Sequence, residues 1–134
     1  MEKIFDNKYL TFELDSAKSI FMYTWKPTSE NLTAEELISE GQRCLQAVFQ
    51  HNVRSIISND VDFRYPMSPE LQVEMNKSIL SVLNQSKVKK FAHIFSKEFI
   101  AQLSVEQFFD ENKNKSYEDK YFSNFEDAVE WCNA

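Results

Sequence analysis

One glycine in 134 residues, Gly41, constrains this chain more than any other feature. Average usage would supply about nine. Phosphate-cradling loops, dinucleotide fingerprints and nucleophile elbows all need glycine where backbone approaches a ligand or turns sharply. Gly41 falls inside a stretch with helical spacing. P-loop, Rossmann-cofactor and G-x-S-x-G chemistries are therefore excluded, and function has to be sought elsewhere.

The periodicity predicts strands and helices in alternation. YLTFEL (9–14) alternates and reads as a strand, and Asp15 to Lys18 form a turn. SIFMYTW (19–25) is β-branched and aromatic and reads as the second strand of a hairpin, apolar on both sides. Thr33 and Glu36 make a capping box. Leu37, Ile38, Gly41, Cys44, Leu45, Val48 and Phe49 then follow at helical spacing to His51–Asn52. Residues 55–59 form a third strand. Ser68 caps a second helix with Pro69 at its first position and a stripe of Leu71, Met75, Ile79 and Val82/Leu83. KKFAHIF (89–95) is a fourth strand, and Ser96 caps a helix bearing Phe99, Ile100 and Leu103. A second capping box at 104–107 leads into Phe108 and Phe109, and ENKNKS (111–116) is a polar loop. EDKYF (118–122) is a final strand, and Asn124 caps a helix with Phe125, Ala128, Val129 and Cys132 on one face. The expected fold class is α/β: one domain over 1–134, with an N-terminal hairpin feeding a mixed sheet of four to five strands and helices packed on it.

Composition narrows the partners. The net charge of −6 argues against nucleic acid, whose binding needs a basic face, and against an anionic membrane surface. No apolar run reaches the roughly 20 residues needed to span a bilayer, and the first residues carry no signal-peptide pattern, so a cytoplasmic protein is expected. Cys44 and Cys132 both fall on apolar helix faces without a C-x-x-C, which predicts reduced, buried thiols.

Candidate chemistry is sparse. Asp60 and Asp62 flank Val61, with Arg64 nearby. Paired carboxylates can do acid–base work or hold a metal. The plainer expectation is a solvated loop with an Asp–Arg pair. His51 suits a helix C-terminus through the helix dipole. His93, between Phe91 and Phe95, reads as a satisfied core histidine rather than the polar group of a pocket. With neither H-x-E nor H-x-x-x-H spacing, no metal and no cofactor are expected. No local signature joins a Ser or Cys to a His and a carboxylate, so no catalysis is expected.

Three segments carry a resemblance: NKYLTFELDSAKSIFMYTW, IISNDVDFRYPMSPE and YFSNFEDAVEWCNA. With the element order, they resemble the STAS-like, SpoIIAA-like family of small bacterial proteins, relatives of anti-sigma-factor antagonists. The most specific part is the ending, where Phe122, Ala128 and Trp131 stand in an F-x-x-x-x-x-A-x-x-W pattern. The resemblance implies a regulatory module that acts through protein contacts and needs no cofactor. In those antagonists an Asp-Ser-Ser/Thr-Gly loop is phosphorylated. Here Pro66-Met67-Ser68-Pro69 occupies the place and only Ser68 matches, which makes Ser68 the phosphoacceptor-like position. The group's likeness in fold to CRAL-TRIO lipid carriers implies a second class, a carrier or sensor of a small apolar ligand in an aromatic-lined pocket. For the contact reading, loop 60–67 is the expected partner surface, with Phe63, Tyr65 and Met67 beside Arg64. The alternative is that these three side chains fold back over the sheet edge. The partner is an unidentified protein, and a homodimer is allowed.

Overall fold

The computed structural model describes residues 1–102 and 115–134. Six strands form a single mixed sheet: β1 (Glu2–Asp6), β2 (Leu10–Asp15), β3 (Ile20–Trp25), β4 (Ser55–Asn59), β5 (Lys90–Ile94) and β6 (Glu118–Phe122). They lie side by side in sequence order. β1–β2 and β2–β3 are antiparallel, and every later pair is parallel. The helices are α1 (Ala34–His51), α2 (Pro69–Asn84), α3 (Lys97–Gln102) and α4 (Phe125–Asn133), with a 3₁₀ turn at Pro27–Asn31. The fold is therefore α/β, as expected, but the strand count of four to five is corrected to six. The extra strand is β1. A bulge between Lys3 and Phe5 breaks its alternation, so Ile4 and Phe5 are both half-buried and no two-residue period is visible.

The caps form where the sequence puts them. Thr33 Oγ1 accepts from Glu36 N at 3.1 Å, and Glu36 Oε1 accepts from Thr33 N at 3.0 Å. α1 ends on Asn52, whose left-handed φ of 56° lets its N–H reach the Val48 carbonyl. Ser68 Oγ accepts from Leu71 N at 3.2 Å, and Ser96 Oγ accepts from Phe99 N at 3.2 Å. Asn124 Oδ1 accepts from Asp127 N at 2.8 Å at the start of α4. The expected capping box at 104–107 and the turn bearing Phe108 and Phe109 lie outside the described residues.

The parallel strands advance in one direction, and right-handed crossovers then place both connecting helices on one face. α1 and α2 cover the face bearing Phe12, Phe21, Trp25, Ile56 and Phe91. α4 covers the other, where Ile20, Met22, Ile57, Ala92 and Ile94 meet Ala128. The terminal pattern residues meet beneath this helix: the Phe122 and Trp131 rings lie 5.7 Å apart and Ala128 is fully buried. Beneath α1, the rings run in contact from Phe5 through Phe12, Phe21, Tyr23 and Trp25 to Phe63 and Tyr65, with centroids 5.0 to 6.5 Å apart.

Candidate functional site

Parallel register builds a polar row near the carboxyl ends of the strands. Tyr23 stands opposite Ser58, Ser58 opposite His93, and His93 opposite Tyr121. Side chains two residues apart share a face. Asp119 therefore lies one step back in the row of Phe91, and Asp60 follows Ser58 just beyond the end of β4.

Two linked groups result. Ser58 Oγ donates to Asp60 Oδ1 at 2.7 Å, and Tyr23 stands beside Ser58 across the β3–β4 register. His93 Nε2 lies 2.7 Å from Asp119 Oδ1, and Lys115 Nζ donates to Asp119 Oδ2. The His93 ring is stacked between Phe91, 4.3 Å away, and Tyr121, 5.1 Å away. Burial pushes the Asp60 carboxyl above its usual range, and nearby His93 and the Ser58 hydroxyl only partly oppose this. Burial would do the same to Asp119, but there the His93 and Lys115 contacts prevail and hold it below the usual range. Burial pushes the Tyr117 hydroxyl up to about 12, with Asp119 adding to it.

Two nucleophile types, Ser58 and Cys44, lie near this row. The Ser58 proton is committed to Asp60. Burial, then Glu40 and Asp60, push the Cys44 thiol well above its usual range. A thiolate needs the opposite surroundings. Among the described residues, no three His, Cys, Asp or Glu side chains converge as a metal site, and no helix is long and apolar enough to cross a membrane. The parallel strands run in order without reversal, so they offer no switch-point crevice of the kind that holds nucleotides in open α/β sheets.

The loop after β4 leaves this row. Asp60 N donates to Ile94 O at 2.9 Å, and Phe63 N donates to Asp60 O at 3.1 Å, which closes a turn. Ser29, fully buried in the 3₁₀ turn, clamps the next residues: its Oγ accepts from Arg64 N at 2.9 Å and donates to Asp62 O at 3.3 Å. The Phe63 ring lies 5.0 Å from Trp25. Exposure then alternates. Phe63, Tyr65 and Met67 are half-buried against the core, while Val61, Asp62, Arg64, Pro66 and Ser68 are exposed.

The expected site residues thus divide. Asp60 turns inward and Asp62 outward, so the two carboxylates do not converge. The expected Asp–Arg pair is corrected: Arg64 makes no ion pair with either carboxylate, because the Ser29 clamp fixes its backbone while its side chain points to water. The aromatic contact patch expected at Phe63, Tyr65 and Met67 is likewise redistributed, with these side chains forming the underside of the loop. Ser68 is exposed but already spent as the α2 cap. His93 is a satisfied histidine, as expected, although it sits half-buried on a carboxylate. Asp119, Ser58 and Lys115 were missed. One signal was available: in EDKYF, Asp119 shares a face with Tyr121, and an inward carboxylate in a strand demands a partner.

Two shallow grooves flank α1. One, about 620 Å³, lies between α1 and α2 over Leu45, Phe49 and Val82. The other, about 330 Å³, lies between α1 and the first two strands over Ile4, Phe5 and Phe12. Comparison with protein-family models, curated proteins and solved structures finds no match.

Proposed function

We propose that this chain is a non-enzymatic regulatory or scaffolding module that works by protein contact, with loop 60–68 in its contact surface. The clamp on that loop carries the proposal. A buried serine and an aromatic floor hold the backbone, so Val61, Asp62, Arg64 and Pro66 are presented without an ordering cost at binding. The groups capable of chemistry are turned on one another, which supports contact over catalysis. The ring-to-ring filling beneath α1 supports contact over an interior apolar ligand, the second reading of the sequence. The resemblance to anti-sigma-factor antagonists points the same way, and on this proposal Ser68, exposed where the loop meets α2, is the position at which the module is switched.

A photo-crosslinking residue at Val61, in protein expressed in its native host, tests the contact. A discrete crosslinked partner is expected, and Arg64→Glu should remove it while the melting temperature stays within about 2 °C. Absence of a crosslink from position 61, or a lipid co-purifying with the folded chain, would overturn the proposal. Phosphopeptide analysis of the same material checks Ser68, and an always unmodified Ser68 removes the switch.

A further inference from the structure

We infer that α1 and its two grooves form a second contact surface, shaped for an acidic segment of a partner protein that carries apolar anchors. The inference rests on the reading of the chain as a contact module but uses none of the loop 60–68 residues.

The first observation is shape. Gln46 lines both grooves, so they are the two sides of one ridge rather than separate sites. Phe49 lines the wider groove and is 49% exposed at the C-terminal end of that ridge. A large aromatic in that position is a natural anchor point between two concavities.

The second observation is charge. Sixteen residues line the two grooves, and none is Asp or Glu, although acids are 21 of the chain's 134 residues. The ionisable side chains there are Arg43, Lys77 and His51, all basic types. Glu40, one turn from Arg43 on α1, is 7% exposed and occupied by Asn7 at 3.0 Å and Arg43 at 3.6 Å. Arg43 stays 46% exposed and lies over the Phe5 ring, which sets a cation at the edge of an apolar floor. The remaining polar groups are mostly Gln and Ser, which can bond an incoming backbone. A surface depleted in charge, apolar at its floor and basic at its margins, on a molecule of net charge −6, is complementary to acidic residues interleaved with apolar ones.

The test is a selection from a randomised peptide library against the wild-type chain. Enriched peptides should carry Asp or Glu between Leu, Phe or Trp anchors and bind more weakly as salt is added. Phe49→Ser, and separately Lys77→Glu, should each weaken them about tenfold or more. Both side chains are exposed, so thermal melts of the two variants should overlay the wild type. Enrichment of basic or uncharged peptides, no enrichment, or binding indifferent to both variants overturns the inference. So does a self-association that Phe49→Ser abolishes, because the occupant is then a second copy of this chain. Peptides insensitive to these variants but lost with Arg64→Glu also overturn it, while leaving the contact module itself standing.

Discussion

The two faces of the sheet solve the same burial problem with different materials. Under α4 the fully covered centre is mostly aliphatic, Ile20, Ile57, Ala92 and Ile94 against Ala128, with the Phe122 and Trp131 rings at its margin. A nine-residue helix suffices there, and Thr11, Glu13 and Asp15 of β2 are half-buried beside it. Under α1 and α2 the contacts are aromatic, and the longer helices of 18 and 16 residues cover them. The row of Tyr23, Ser58, His93 and Tyr121 lies on that second face, at the carboxyl ends of the parallel strands. Each face should therefore fail in its own way.

The largest loss is expected from Phe21→Ala. Phe21 is fully buried between Phe12 and Tyr23, and the truncation should cost about 3–5 kcal/mol in urea unfolding. A loss below about 1 kcal/mol would mean that the aromatic row collapses into the gap and is not the tightly packed layer described.

On the opposite face the break comes from adding volume. Ala128→Leu has no room against Ala92 and Ile57, both fully buried, and should cost about 1–3 kcal/mol. Hydrogen exchange should quicken in α4 while α1 keeps its protection; equal loosening of both helices would erase the distinction between the faces.

The polar row on the α1 and α2 face holds two carboxylates with opposite pH behaviour. Asp119 is held below the usual range, so its stabilisation is present above the unfolded carboxyl value and is lost as pH falls through the folded one. Asp60 is raised, so the folded chain holds that proton more tightly and stability declines as pH climbs from the ordinary value through the raised one. Asp119→Asn should cost about 1.5–3 kcal/mol at neutral pH and flatten the acid limb. Asp60→Asn should be near neutral or mildly stabilising and should remove the decline on the rising side. Unfolding followed between pH 3 and pH 7, on the order of the carboxyl titration range, separates the two; the same slope in both variants would refute the opposed assignment.

The smallest effect belongs to Gly41. A Cβ there would meet Met75 Cε at 3.1 Å, the far end of a flexible side chain. Gly41→Ala should gain up to about 1 kcal/mol from helix propensity once Met75 shifts. A marked loss would show that α2 is pressed on α1 as firmly as the sheet is, which the half-buried stripe of α2 argues against.

Much of this was legible in the chain. The hairpin, the caps at Thr33, Ser68, Ser96 and Asn124, and the end of α1 at Asn52 follow from local chemistry, since each depends on residues within about four positions. β1 escaped because its bulge hides the period. The polar row escaped because its members lie far apart in sequence: His93 and Asp119 are 26 residues apart.

The sequence by itself determined the strands after β1, the capped helices, their order, the α/β class and the exclusion of glycine-dependent loops, because propensity and capping act over a few residues. Tertiary structure alone decided which side of loop 60–68 faces water, which carboxylate is raised and which lowered, and that the grooves beside α1 carry no acid. Those properties depend on register between strands and on the packing of helices over them. A change of one residue in register moves every side chain of a strand to the other face, and for the parallel strands that choice is made between segments far apart in the chain.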